Sequence, residues 1–379
     1  MAQRPTGVCA KTTPFLPRPL YIYTFGLQVD EVESSESRDV GGKAVPLVYK
    51  CNDASASQAD TLAWVTSNQE EIEAKLKEHG AILFRGFPLK TAADFDKFVC
   101  AFKGWRDLSY DDSLSFAVRI KRSNRICTTN EGKTGGLVFH HEQAQSPKWP
   151  SKLFFCCELA AKPGDGGQTG VCRSDAVLQA LEAAEPEFVK KCEEVGVKYT
   201  IYMGDTSTST GVGRSWKSYF SAETKEACEA KMKGLGYTWE WQEDGSLKAT
   251  TPRLEAVAKA PGTETRCFFN QLPASLFNAK EFCNVDEPAS DPAAPFSFDP
   301  WAPVNVPQEA LNKCLSFADG SEISVEILEK ARRFCEENAV NLQWQSGDIA
   351  LLDNFLVMHA RRYWNGPAGT RKLLASLVH

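Results

Sequence analysis

From Asn124 to Cys172, and again from Asn341 to Val378, apolar residues come in short runs broken by turn residues, among them Leu137-Val138-Phe139, Leu153-Phe154-Phe155 and Ile349 to Leu352. Runs this short, flanked by turn formers, fit buried strands and are too brief for a buried helix. The chain around them has helical spacing instead. Ser67-x-x-Glu70 reads as a capping box opening a helix through Ile72 and Leu76 to Gly80, and Ala81 to Phe84 then reads as a buried strand. Thr91 and Asp94 predict the start of another helix, with Phe95, Phe98, Val99 and Phe102 as its core stripe. Further helices are predicted at about Asp175 to Ala183, Ala222 to Lys233 and Val325 to Asn338. Thr238 to Thr250 reads as a hairpin turning at Asp244-Gly245, and Glu287 to Pro307, rich in Pro, Ala, Asp and Ser, as a surface loop or lid. Strands in the middle and at the end, with helices outside, predict an α+β fold built around a β-sandwich or jelly roll with inserted helical segments. Residues 1–60 read as an irregular N-terminal arm with the first strands, and residues 61–379 as a single domain.

Composition narrows what such a fold binds. With 43 Lys+Arg against 49 Asp+Glu the net charge is −6, and the chain has no basic block, so nucleic acid and anionic membrane surfaces are poor partners and small molecules better ones. No apolar run approaches the roughly 20 residues that span a bilayer. The 13 cysteines are odd in number and irregularly spaced, with no CxxC. A chain of 379 residues needs no staples, so all are expected to be free, non-catalytic and held in a reducing, cytoplasmic compartment. Arg4, Lys11 and Arg18 precede the first acidic residue, Asp30, as in a transit peptide, but that stretch lacks serine and carries Pro5, Pro14, Pro17 and Pro19, which favours an irregular arm.

Only five histidines are present, so each can be weighed. His79 precedes Gly80 at a predicted helix end, where a cation suits the dipole. His379 is the last residue. In Phe139-His140-His141-Glu142, strand alternation points His140 and Glu142 to one side and His141 to the other. A histidine and a carboxylate on one face, joined by a distant second histidine, make the facial triad that holds non-haem Fe(II) with three positions open. His359, following the strand in Gly347 to Asn354, is the mid-chain histidine left to complete it. A chance His-x-Glu with a structural histidine is the competing interpretation. Arg371, opening the last apolar strand, can grip a dicarboxylic acid or serve as a strand-end surface charge. Gly166-Gly167-Gln168-Thr169 offers a hydroxyl after a tight turn, or merely a hairpin.

Taken in order, these segments resemble the taurine dioxygenase and clavaminate synthase-like superfamily of Fe(II)/2-oxoglutarate oxygenases. The resemblance runs from about Ala63 to Leu377 and is carried by Ile82 to Phe87, Phe139 to Glu142, Pro150 to Phe155, Gly166 to Thr169, Gly213 to Trp216, Phe269-Asn270 and Gly347 to Arg371. It implies a double-stranded β-helix (jelly-roll) core with flanking helices and inserted lid segments. It also implies iron on His140, Glu142 and His359, and 2-oxoglutarate on Arg371 and Thr169, with Lys372 as the neighbouring alternative to Arg371. Glu142 stands where most members have Asp, as in clavaminate synthase-like enzymes. Ala375 stands where taurine dioxygenase has its sulfonate-gripping arginine, so taurine is not expected as substrate.

The chemistry the resemblance implies consumes 2-oxoglutarate and O2, releases succinate and CO2, and oxidises an unactivated C–H bond by hydroxylation, desaturation or cyclisation. Because Glu142 fills the carboxylate position, halogenation is disfavoured. Arg214, Trp216, Asn270 and Gln143 are the candidate substrate contacts, suited to an amino acid or small carboxylate. A solvated loop, core packing and a turn are the competing roles of the first three. Two other classes compete: a non-catalytic iron or 2-oxoglutarate sensor, and a cupin-type metal isomerase. The intact ligand set argues against the first. Arg371 and Thr169 argue against the second, which has no use for a dicarboxylate clamp.

Overall fold

The computed structural model describes residues 27–129, 136–207, 213–283, 304–367 and 369–379. Two antiparallel-rich sheets organise it. The larger has the strand order Val29–Val32, Leu47–Cys51, Ala81–Arg85, Ile349–Asp353, Lys152–Leu159, Lys372–Val378, Cys127–Thr128, in which only the Leu47–Cys51 and Ala81–Arg85 pair is parallel. The smaller has the order Ala339–Leu342, Thr169–Arg173, Val357–Arg361, Leu137–His140, all antiparallel.

The central strands of the large sheet carry continuous apolar runs, Ala81 to Phe84, Leu153 to Cys157 and Ile349 to Leu352, because both of their faces are buried. Ile82 and Phe84 pack outward, with Phe154, Ile349 and Leu351, against the helices Gln58–Ser67, Gln69–His79 and Ala92–Ala101. Leu83, Leu153, Phe155, Ala350 and Leu352 point inward, where Val171, Leu342 and Val357 of the small sheet meet them. The small sheet alternates in the same way. Phe139, Cys172, Met358 and Ala360 face a second helical layer that includes Ser174–Ala184, Leu272–Ala279 and Val325–Glu337. Period-two alternation therefore turns Val357, His359 and Arg361 toward the space between the sheets.

The helix ends differ in part from expectation. Ser67 closes the first helix instead of capping the next, whose N-cap is Asn68 without a side-chain bond. The capping boxes are Ser57 with Asp60 and Thr91 with Asp94. Gly80 ends the second helix in the left-handed region at φ 77°, where an added Cβ would lie 2.6 Å from Val357 Cγ2. Glycine is what lets the chain turn there into the Ala81–Arg85 strand. The predicted hairpin is present, with Trp241 opposite Leu247 in a four-stranded side sheet, Thr238–Trp241, Leu247–Thr250, Val197–Met203, Leu315–Phe317.

Of the loop expected over Glu287 to Pro307, residues 287–303 lie outside the described residues, as does the N-terminal stretch 1–26. The twelve cysteines among the described residues are free; Cys9 lies outside them. Burial pushes the Cys157 thiol up to about 12, so it stays protonated and unreactive near neutrality. No helix among the described residues is long and apolar enough to cross a membrane.

Candidate metal and cosubstrate site

His140 ends the Leu137–His140 strand, and the antiparallel Val357–Arg361 strand places His359 opposite it. His359 follows the Ile349–Asp353 strand as expected and lies in a further strand, Val357–Arg361, which aims it inward. The two imidazoles are 4.3 Å apart, centroid to centroid. Glu142 is also not on the strand. It lies in the turn two residues beyond His140, yet its Oε2 comes within 3.9 Å of His140 Nε2 and 3.6 Å of His359 Nε2. The ligand atoms of the three residues all lie within 4.8 Å of one another, close enough for one ion.

Each side chain is held in a usable state. His140 Nδ1 donates to Val138 O at 2.7 Å, which leaves the Nε2 lone pair free on the side facing Glu142. Burial first, and then the neighbouring His140 ring and Arg119 cation, hold His359 well below its ordinary value, so it is a neutral donor. Among the described residues its Nδ1 is buried without a hydrogen-bond partner, and the Phe155 ring packs on the His359 ring at 5.0 Å between centroids. Glu142 Oε1 accepts from Arg119 Nη2 at 2.9 Å. The two imidazole nitrogens and one carboxylate of this donor set fit Fe(II).

His141 points away, as alternation predicts. It is fully buried, with Nδ1 2.5 Å from Asn354 O and Nε2 3.1 Å from Phe268 O, and burial pushes it down to about 3. A neutral ring carries one N–H, which the shorter contact assigns to Nδ1 and Asn354 O. His79 likewise has a structural partner, Ala44 O at 2.8 Å from its Nδ1.

A cavity of about 220 Å³ opens beside the three residues, and Thr169, Arg361 and Arg371 line it with them. Arg371 Nε donates to Gly167 O at 2.9 Å. Gly167 has φ 77°, and a Cβ there would lie 2.7 Å from Arg371 Nε, so the tight turn clears the space the guanidinium occupies. Thr169 Oγ1 accepts from Trp344 Nε1 at 3.0 Å, which leaves its own proton for an anion. Lys372 does not line this cavity, and strand alternation accounts for the difference from Arg371.

Of the four candidate substrate contacts, the fold brings only Gln143 to the cavity. Its Oε1 accepts from Leu114 N at 2.8 Å, its Nε2 is buried without a partner among the described residues, and its backbone is held at φ 59°. The fold places the other three elsewhere. Arg214 is buried against the Tyr110 ring at 4.4 Å and donates to Ser113 O, Ser115 O, Ser218 O and Ser218 Oγ, so its donors bind the protein itself. Trp216 packs edge-on to Trp241 at 5.1 Å in the core of the side sheet. Asn270 is buried, donating to Ala256 O and accepting from Leu272 N. Ala375 is buried in the inter-sheet core opposite Phe155.

Four residues around the site have no role in the sequence-based expectations: Arg119, Asn354, Trp344 and Arg361. Asn354 lies within the quoted segment before His359, where an Asp-Asn turn between two apolar runs was the available signal. Arg361 is signalled by its i+2 spacing from His359, and burial pushes it down to about 10. Arg119 sits in an irregular stretch with no pattern to mark it.

A pair of β-sheets enclosing two histidines, one carboxylate and an arginine in one cavity fits a non-haem metal oxygenase. The family model described as "Taurine catabolism dioxygenase TauD, TfdA family" matches residues 46–377. The chain belongs to this family of Fe(II)- and 2-oxoglutarate-dependent dioxygenases. It is 33% identical over 315 residues to a clavaminate synthase-like protein of Arabidopsis thaliana, covering 83% of this chain and 86% of that protein. It is 25% identical over 325 residues to the dapdiamide synthesis protein DdaC of Enterobacter agglomerans, covering 86% of this chain and 90% of that one. A solved structure of PvcB, described as an Fe, alpha-ketoglutarate dependent oxygenase from an isonitrile synthetic pathway, aligns with a TM-score of 0.48 at 13% identity, covering 96% of this chain and 94% of that chain.

Proposed function

We propose that His140, Glu142 and His359 hold Fe(II) on the small-sheet side of a double-stranded β-helix, and that Arg371 and Thr169 hold the distal carboxylate of 2-oxoglutarate. The protein then oxidises an unactivated C–H bond of a small polar metabolite of amino-acid type. One observation carries this: the three donors and the Arg371–Thr169 pair line the same cavity. Iron, with 2-oxoglutarate and O2, supplies the oxidising power and yields succinate and CO2. The chain's own residues do the rest. Arg371 and Thr169 orient the cosubstrate with a cation and a hydroxyl proton. Phe155 packs on His359 and excludes water from that side. Gln143 presents a fixed amide N–H whose burial without a partner favours a substrate bearing an acceptor there.

A cavity of about 220 Å³ supports a small metabolite in preference to a lipid or terpenoid. With Glu142 in place, hydroxylation, desaturation and ring closure are the outcomes supported. The free cysteines favour a reducing, cytoplasmic setting. The test is anaerobic addition of 2-oxoglutarate to the Fe(II) protein, where a weak visible charge-transfer band is expected. A screen of amino acids and small carboxylates for stimulated succinate release then identifies the substrate class. No band and no calorimetric binding would overturn the oxygenase assignment; turnover of taurine or a fatty acid with amino acids inert would overturn the substrate class alone.

A further inference from the structure

The two oxygens of Glu142 are not equivalent. Oε2 is the one turned toward His140 Nε2 and His359 Nε2. Oε1 accepts from Arg119 Nη2 at 2.9 Å. The peptide of Glu142 is separately fixed by Asn354, so the freedom left to the carboxylate is rotation of its own side chain. Arg119 removes that freedom. The two side chains are 9% and 6% exposed, so water competes poorly and a charge-assisted bond between them is strong. Among the described residues, Glu142 accepts the one hydrogen bond the Arg119 guanidinium makes, and Arg119 Nε is buried without a partner. A guanidinium serving only to tie loops together would bond to carbonyls, as Arg214 does.

We infer that Arg119 is a positioning residue that confines Glu142 to ligation through Oε2 alone and so keeps three metal positions open for the cosubstrate and O2. This rests on the facial metal assignment proposed above. A carboxylate can engage a metal through one oxygen or both. If Oε1 joined Oε2 it would take one of the three positions a facial triad leaves. To do so it would have to leave the Arg119 cation inside a dry pocket, and that loss opposes the second contact.

The experiment uses Mn(II) alone, added to the metal-free full-length protein, with water-proton relaxation counting the exchangeable waters on the ion. Wild type is expected to show three. Arg119→Leu and Arg119→Met, which lack the donor, are expected to show two, a fall in bound-water relaxivity of about one third. Arg119→Gln keeps an N–H donor without the charge and is expected to restore the third water. Three waters in whichever of the Leu and Met variants folds, or two in wild type, overturns the inference. Mn(II) that fails to bind wild type, or binds His140→Ala equally well, overturns the metal assignment instead, so the two failures are distinguishable.

Discussion

Asn354 grips the peptide of Glu142 from both sides: its Oδ1 accepts from Glu142 N–H at 2.8 Å and its Nδ2 donates to Glu142 C=O at 3.0 Å. The second Nδ2 proton goes to Pro150 O at 2.8 Å, and Asn354 is fully buried. Asn354 lies on the crossover from the Ile349–Asp353 strand of the large sheet to the Val357–Arg361 strand of the small one. The residue that fixes Glu142 is thus five positions from His359 and moves with it.

Asn354→Ala is therefore expected to act on stability and on the metal together. It strands three buried partners at about 1–3 kcal/mol each, so a loss of at least about 3 kcal/mol is expected in denaturant unfolding. Mn(II) affinity should fall in the same variant. Asn354→Asp, of the same shape but with no N–H to give, should fare no better. Unchanged unfolding and unchanged Mn(II) affinity in Asn354→Ala would show that Glu142 is held by other means.

At the cosubstrate wall, charge and space make separate predictions. Arg371→Ala removes the cation and should weaken 2-oxoglutarate binding by roughly 10- to 1,000-fold, equivalent to about 1.4–4 kcal/mol. Gly167→Ala leaves the cation but puts a Cβ within 2.7 Å of Arg371 Nε at a backbone φ of 77°. It should displace the guanidinium and weaken binding by roughly 10-fold or more. Lys372→Ala should leave affinity unchanged. Calorimetry with the Mn(II) protein under nitrogen distinguishes the three, and a Lys372 effect equal to that of Arg371 would reassign the clamp.

What could be read from sequence, and what could not, follows from how local each signal is. The Ala81–Arg85 and Lys152–Leu159 strands are legible because both faces are buried over their apolar stretches, Ala81 to Phe84 and Leu153 to Cys157. The His140, Glu142 and His359 set is legible because histidine is scarce and the turn that follows the strand end at His140 keeps Glu142 on the side of His140. The Val357–Arg361 strand was hidden because it contains a histidine and an arginine that only a cavity between two sheets would accommodate. Arg214, Trp216 and Asn270 were misplaced for the converse reason. A buried arginine on backbone carbonyls and a buried asparagine at a helix start have the same composition as a polar pocket, and only the tertiary contacts show where their donors go.

Arg214 accordingly carries a prediction opposite to a binding role. Arg214→Ala leaves the carbonyls of Ser113, Ser115 and Ser218 without their donor and vacates a buried site over Tyr110. A destabilisation of about 3 kcal/mol is expected, and Arg214→Lys should recover little of it, because one ammonium cannot replace the planar fork. In whatever fraction stays folded, 2-oxoglutarate and Mn(II) affinities should equal those of wild type. A selective loss of substrate with unfolding unchanged would return Arg214 to the substrate site.

The two buried histidines predict how the metal-free protein responds to acid. Burial pushes His141 down to about 3 and holds His359 well below 6.5, so in the folded state both remain neutral through mildly acidic solution. In the unfolded chain each takes up a proton near pH 6.5. Above that pH neither state binds the proton and these groups give no pH dependence. Below it the unfolded state binds more protons than the folded one, so stability falls as pH falls, at up to about 1.4 kcal/mol per pH unit for each histidine. At pH 5 that amounts to about 2 kcal/mol apiece. The buried carboxyls of Asp348, Asp353 and Glu336, which burial shifts upward, oppose this in sign, so the comparison is made against a variant. His141→Gln keeps a donor for Asn354 O but cannot titrate. Urea unfolding in EDTA at pH 7, 6 and 5 should show wild type losing about 2 kcal/mol more than His141→Gln over that span. Parallel losses in the two proteins would mean that His141 titrates in the folded state and is not the neutral ring its two carbonyl contacts enclose.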